Sequence, residues 1–289
     1  MNATDFCFDQ NYLSDFGCII ASFGDSSDEV SGGTTEYDSV KAPNSDKFKF
    51  YGSQYNEVLT WSFSVIKNPC IITENMEFSH KEERKLMKWL KRTDGYKWFK
   101  FVEGSYGQTV SNNYVISLGT EVNTNSEEDI YYQVKVDVKP HRIGGRTLGY
   151  DLTITANCAY GFTDLIEKSA SITSSSTFKF NVDTDANEYI YPEKVIIKNG
   201  TTTSFVLENT YDSLHRINLD TATKFSSIPT NSTLILDCEN QIITGLNDPT
   251  KFNWYFPRLV DRNNEFSMGT SEGKLNVTIQ YREARMVMI

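Results

Sequence analysis

The sequence predicts a mainly β protein: an N-terminal β-rich domain, barrel- or sandwich-like, with one α-helix, followed by a C-terminal β-sandwich. Three observations carry this. Short stretches alternate apolar and polar residues with a period of two, the mark of half-buried strands. The aromatic fraction is 13%, with 16 Tyr and 18 Phe, and such rings favour strands over helices. A single segment, 79–90, carries helical spacing instead. A chain of 289 residues has room for about two domains, expected at 1–165 and 166–289.

The elements follow in order. Residues 16–23 read as a buried strand, and 24–44, rich in Ser, Gly and Asp, as a long excursion. From Asp5 to Asp38 there are eight acidic residues and no basic one. Segments 47–51 and 57–66 alternate, with Leu59, Trp61, Phe63 and Val65 opposing Val58, Thr60, Ser62 and Ser64. Ser79 and Glu82 form a capping box, which satisfies two backbone N–H groups at a helix start. Leu86, Met87, Trp89 and Leu90 supply its apolar stripe, and Gly95 is placed to end it in a left-handed cap. The opposite face carries Lys81, Arg84, Lys85, Lys88, Lys91 and Arg92, either a basic patch for an acidic partner or an ordinary solvated face. Strands are expected again at 96–103, 113–118, 130–138 and 147–157, with Gly144-Gly145-Arg146 as the turn between the last two.

The Ser-rich run at 168–177 reads as a junction. Beyond it, strands are expected at 178–182, 194–198, 203–208, 214–219, 233–237, 240–244, 252–256 and 275–282. Many short strands at this spacing indicate a sandwich. The first half also carries more of the acidic excess than the second.

Composition excludes several function classes. The net charge is −10, from 28 basic and 38 acidic residues, so stable nucleic-acid binding, which depends on cations neutralising phosphates, is not expected. No apolar run approaches the roughly 20 residues that span a bilayer, so membrane insertion is not expected. Residues 1–15 hold Asp5, Asp9 and Asp15 and no Lys or Arg, unlike a signal peptide. Cys7, Cys18, Cys70, Cys158 and Cys238 are odd in number and widely spaced, which fits free thiols in a reducing cytoplasm. The three Asn-x-Thr tripeptides at 199–201, 231–233 and 276–278 carry no weight without secretion.

No catalytic, cofactor or metal residue is assigned. The segment 269–273 matches G-x-S-x-G, but a strand follows it and no His lies beyond His215, so it reads as a hairpin turn rather than a nucleophile elbow. Asp183-Thr184-Asp185-Ala186-Asn187 opens like a calcium loop, yet Glu188 and Lys194 stand where Gly and a bidentate Glu belong. Asp237 and Glu239, two apart in an expected strand, could imitate a glycosidase pair, but read as solvated strand residues. Trp254-Tyr255-Phe256 reads as sandwich core before sugar platform. His80, His141 and His215 show no ligand spacing.

The order of these pieces resembles the siphophage distal tail proteins. Asp5-Phe6-Cys7-Phe8-Asp9 followed by Ser14-Asp15-Phe16-Gly17 is similar to their opening, and Gly52-Ser53-Gln54-Tyr55 with the strand after it continues the likeness. Lys88-Trp89-Leu90, followed by Gly95-Tyr96, is similar to the end of their helix. Leu152 through Tyr160, Tyr191-Pro192-Glu193-Lys194-Val195-Ile196-Ile197, Leu234-Ile235-Leu236-Asp237, and Asn264-Glu265-Phe266 with Val277 through Arg282 resemble later strands and a final hairpin. Asn263 departs from the Gly that many members hold there. The resemblance implies a non-enzymatic virion protein, synthesised in the host bacterial cytoplasm. It implies a homohexameric ring at the distal end of the tail, or baseplate, with a galectin-like C-terminal domain. Implied partners are the tail tube protein, the tail-tip hub protein and receptor-binding parts, with DNA passing only transiently through the channel. A lumen that does not trap DNA should not be basic, so part of the acidic excess is expected to line it. Two alternatives stay open: a carbohydrate-binding baseplate or adhesin module, and a glycosidase.

Overall fold

In the computed structural model, the described residues are 3–21, 29–31, 35–41, 43, 46–55, 58–71, 75–103, 129–172, 175–186, 189–212, 222–270 and 273–286. The expected strands at 113–118 and 214–219 lie outside them. The chain is 55% strand with one α-helix among the described residues, as the alternation predicts. It divides into two compact units, the first ending at Gly161 and the second spanning Phe162–Met286.

The first unit contains β1 (Ala3–Phe8), β2 (Asn11–Tyr12), β3 (Cys18–Ala21), β4 (Glu29–Ser31), β5 (Thr35–Lys41), β6 (Phe48–Tyr55), β7 (Thr60–Lys67), α1 (His80–Leu90), β8 (Lys97–Glu103), β9 (Tyr132–Ile143) and β10 (Arg146–Ala156). Eight of its strands form one antiparallel sheet in the order β2-β1-β8-β9-β10-β7-β3, with β4 also on β7. Among the described residues the sheet is not closed and ends at β2 and β3, so the barrel-like option gives way to an open sheet. In β9 and β10 the alternation is realised fully: Tyr132, Val134, Val136, Tyr150, Leu152, Ile154 and Ala156 are buried, while Lys135 and Asp137 face solvent. The turn between them has Gly144 at φ +59° and Gly145 at φ +82°, the paired positive φ that a two-residue hairpin of matching twist requires. The β1–β2 turn, also of two residues, places two non-glycines there, Asp9 at φ +48° and Gln10 at φ +67°, and Asp9 is held by an ion pair to Arg92.

After the short β11 (Tyr160–Phe162), the second unit holds β12 (Ile166–Ile172), β13 (Ser175–Val182), β14 (Lys194–Asn199), β15 (Phe205–Asn209), β16 (Thr223–Phe225), β17 (Thr233–Asp237), β18 (Ile242–Thr244), β19 (Arg262–Thr270), β20 (Leu275–Tyr281) and β21 (Ala284–Met286). A five-stranded sheet, β12-β20-β14-β17-β18, and a four-stranded one, β13-β19-β15-β16, are antiparallel throughout. Their inward residues form one core: Val195, Ile197, Leu234, Leu236, Val277 and Ile279 from the first sheet, Phe205, Leu207, Phe225, Phe266 and Met268 from the second. That is a β-sandwich.

Several expectations change here. The run at 168–177 is not a linker. Ile166, Ala170 and Ile172 reach the core from alternate positions of β12, and its polar residues pair across the sheet, Ser169 with Thr278 at 2.8 Å and Glu167 with Gln280 at 2.9 Å. Residues 252–256 form no strand, because the short 3-10 helix Pro249–Lys251 redirects the chain and leaves only a single bridge, Phe225 to Phe252. The link 270–273 is not a hairpin turn, since β19 and β20 belong to different sheets. Gly273 lies there at φ +86°, and a Cβ would stand 2.2 Å from Thr201 Oγ1. Finally, α1 is capped at Lys91 rather than at Gly95. Arg92 is drawn to Asp9 and Asp94, which turns the chain out of the helix before the glycine.

Candidate assembly surfaces

The helix of the first unit is fixed before anything can dock on it. Ser79 N donates to Glu82 Oε2 at 2.8 Å and Glu82 N donates to Ser79 Oγ at 3.4 Å, completing the capping box. Glu82 also pairs with Lys67 Nζ at 2.9 Å. Lys67 is buried, its ammonium 5.3 Å from the centre of the Phe78 ring. Partial burial alone would raise the Glu82 carboxyl; the Ser79 hydrogen bonds and the Lys67 charge outweigh it and bring the group down to about 2. At the other end Trp89 stacks on Phe16 at 4.4 Å and on Phe6 at 5.6 Å, and its indole N–H donates to Phe8 O at 2.8 Å. The apolar face is therefore locked to the sheet, and Lys81, Arg84, Lys85, Lys88 and Lys91 are left exposed.

A second surface is the ribbon of β5 and β6. It forms its own two-stranded sheet, and its large side chains are uncovered: Tyr37, Val40, Phe48, Phe50 and Tyr51 are each more than half exposed. Phe48 and Phe50 share a face because they are two apart in a strand, and the Tyr37 ring lies 5.9 Å from Phe50.

The third lies in the second unit. Asn253 accepts from Lys224 N at 2.9 Å and donates to Ala222 O at 2.6 Å, and Thr223 Oγ1 donates to Tyr255 O at 2.8 Å. These bonds hold Trp254 at φ +60° with the residue 53% exposed. Next to it the loop is anchored by a buried pair: Arg258 donates to Asp212 from Nε at 2.9 Å and Nη2 at 2.8 Å, with its guanidinium 3.8 Å from the Tyr189 ring centre.

Two family models match the chain. One, described as a phage tail protein N-terminal domain, covers residues 1–118, and the other, a phage tail C-terminal domain, covers 160–281. Among solved structures, the crystal structure of SPP1 Dit, titled a paradigm of the hub adsorption apparatus in phages infecting Gram-positive bacteria, aligns with 96% of this chain and 98% of its own. The TM-score is 0.53 at 10% sequence identity, so the likeness lies in the fold. The chain belongs to this phage tail protein family. No curated protein matches it.

The chemistry considered in the sequence is dispersed in this tail protein. Asp237 ends β17 and accepts from the backbone and side chain of Asn240 at 3.0 and 3.1 Å. Glu239 lies in the turn after it rather than in a strand, so the two do not form a carboxylate pair on one face. Asp183 and Asp185 lie in a loop: the backbone N–H of Asp183 donates to Glu283, and Asp185 accepts from Met286 N at 2.7 Å. Among the described residues no group of three His, Cys, Asp or Glu is arranged to hold a metal. Asn187, Glu188, His215, Ser271 and Glu272 lie outside the described residues. His80 is exposed against Glu83, and His141 lies in β9. Of the thiols, Cys18 and Cys238 are buried, Cys70 is exposed, and none of the five is in a disulfide; burial pushes Cys18 up to about 12. Of the aromatic run, only Phe256 is in the core, while Trp254 and Tyr255 reach solvent. The exposed ribbon went unread, because the alternation at 47–51 gives a strand but not what covers it.

Proposed function

We propose that the tail protein assembles as a homohexameric ring at the distal end of the phage tail. The first unit builds the ring around a channel that DNA crosses transiently. The second unit, a galectin-like sandwich in this reading, is presented to the other tail components. In a ring of this kind the tail tube protein lies on one side, the tail-tip hub protein on the other, and receptor-binding parts attach at the periphery. The role is structural, not enzymatic.

The observation that carries this is the uncovered β5–β6 ribbon. A two-stranded ribbon is marginal by itself in water, and five large exposed side chains in so small an element mark an interaction surface. Among the described residues the sheet ends at β2 and β3, and a sheet edge offers backbone groups that another chain can pair with. A head-to-tail contact between different faces closes into a ring when the rotation permits. Sedimentation or light scattering of the purified protein tests it, with six copies expected. An acidic lumen belongs to the same reading, and a reconstruction with a lysine-lined channel would remove it.

A second reading, a glycan-binding module, is favoured by Trp254. A bulky residue at positive φ is uncommon and costs about 1–3 kcal/mol, and an exposed indole beside Tyr255 could stack on a sugar. Glycan-array binding lost in Trp254→Ala supports it, and a silent array alongside a stable hexamer rejects it.

A further inference from the structure

We infer that the far edge of β13 in the second unit is a docking edge that takes an extended strand from another tail component. This rests on the reading that the second unit is presented to such components, and it names the edge and the chemistry of the segment that fits it.

The two sheets of the sandwich have four edge strands, β12 and β18 in one and β13 and β16 in the other. An unguarded edge is a row of unpaired N–H and C=O groups that another strand can join, so folded proteins shorten, cover or charge their edges. Three of the four are managed in these ways. β18 has three residues. β16 also has three, and the segment after Pro249 covers it. Asn253 N donates to Lys224 O at 3.2 Å, Asn253 Oδ1 accepts from Lys224 N at 2.9 Å, and Ser226 N donates to Lys251 O at 2.9 Å. β12 is seven residues long, but Lys168 lies on the same face as Ile166, Ala170 and Ile172, which pack on the core. A charge on the inward face of an edge strand opposes the addition of another strand.

β13 has none of these devices. It runs eight residues, without proline and without a register shift against β19. Its one charged residue, Lys179, lies opposite Glu265 and pairs with it at 3.1 Å. On its inward face Phe178 and Phe180 are only partly buried, although Phe180 stacks on Phe266 and Tyr281 at 5.8 and 5.7 Å. Among the described residues no strand pairs with the far edge of β13. The one further bond to its backbone there is from Tyr281 Oη to Asn181 O at 3.5 Å.

The edge selects its occupant. A strand offers N–H and C=O groups at the matching spacing, and apolar residues at its alternate positions complete the cover over Phe178 and Phe180. Charge narrows the choice. β12 lies against β13, and its half-buried Lys168 has no ion pair among the described residues, so an acidic residue on the inward face of the added strand answers it. A second copy is not the occupant. Pairing of β13 with itself is two-fold and joins copies in pairs, whereas the contact of a ring is head-to-tail.

The test uses the full chain and a capped peptide with the sequence of residues 262–270, which complements β13 on its other side. Hydrogen exchange read by mass spectrometry follows residues 175–182. At a peptide concentration about ten times its dissociation constant, the newly paired amides are expected to exchange about tenfold slower, with β12, β16 and β18 unchanged. Each side of a strand uses alternate N–H groups. Of two peptides, one N-methylated at even-numbered and one at odd-numbered residues, one is therefore expected to bind and the other not. F178K gives β13 the inward charge that guards β12 and is expected to abolish the protection, with thermal melting confirming folding; the methylated pair decides if it does not fold. Asn264→Glu in the peptide is expected to tighten binding about two- to fivefold, the range of an ion pair near the surface, and K168S to remove that gain. A gain that survives K168S overturns the charge selection. No slowing in 175–182, or equal binding by both methylated peptides, overturns the inference. Protection of 175–182 without peptide, together with a mass halved by F178K, makes the occupant a second copy and overturns it too. The exchange is read at β13 whatever the mass of the chain, so a monomeric protein that gains this protection overturns the ring and supports the edge.

Discussion

The two units use the same alternating pattern to opposite ends. The sandwich of the second unit buries its hydrophobic core between two sheets and ties buried polar side chains to its backbone. Asn199, for example, donates to Thr202 O and Pro229 O and accepts from Thr202 N. The first unit has one open sheet, a helix with an unmatched basic face, and a ribbon whose aromatics face solvent. A β-rich domain can thus be self-sufficient or incomplete, and the incomplete one is where assembly is to be sought.

Substitutions can sharpen that contrast. Trp89→Ala removes two ring stacks and the hydrogen bond to Phe8 O, and is expected to lower the stability of the first unit by about 3–5 kcal/mol, read as an earlier transition in calorimetry with the second unit's transition unmoved. Simultaneous loss of both transitions would deny the units independent cores. Asp212→Ala strands the buried Arg258 guanidinium and should lower the second unit by about 3 kcal/mol, while the assembly state stays as it was. If assembly is lost as well, the second unit is not self-contained.

A smaller effect separates the units by pH. The folded Glu82 carboxyl titrates near 2, against 4.5 for the free group. A group lowered on folding stabilises above its unfolded value and loses that contribution as pH falls through its folded one. The Glu82 contribution is therefore present above about pH 4.5 and lost between there and about pH 2. Glu82→Gln should flatten the acid dependence of the first unit's melting in that window, and lower its neutral-pH stability by about 1 kcal/mol, discounted because the side chain is half exposed. Acid melting that is unchanged in the variant would show that the cap and the Lys67 pair matter less than their geometry implies. Smallest of all, F48S/F50S should leave stability within about 0.5 kcal/mol, as surface substitutions do, although it is expected to abolish assembly.

Much of this was legible in the sequence wherever one short-range rule decides. The capping box at Ser79 and Glu82, the Gly144-Gly145 turn and the alternation of β9 and β10 each follow from neighbouring residues alone. The failures share a cause: partners distant along the chain. The first part of the Ser-rich segment, 168–172, is strand because β20, more than a hundred residues later, accepts β12. The link after β19 is a crossing between sheets because β19 pairs with β13 and β15 while β20 pairs with β12 and β14, all distant in the chain. Trp254 escapes the core because Asn253 is pinned to Ala222 and Lys224. The candidate surfaces were half visible, since the basic stripe is periodic but the bareness of Phe48 and Phe50 depends on which strands pair with β6.

The central claim is that the exposed ribbon of the first unit makes this chain a ring subunit. The most direct measurement is the mass in solution of the natural protein beside F48S/F50S, by analytical ultracentrifugation over a range of concentrations. Six copies for the natural sequence and one for the variant are predicted. A natural protein that remains a single copy throughout, or a variant that assembles equally well, would contradict it.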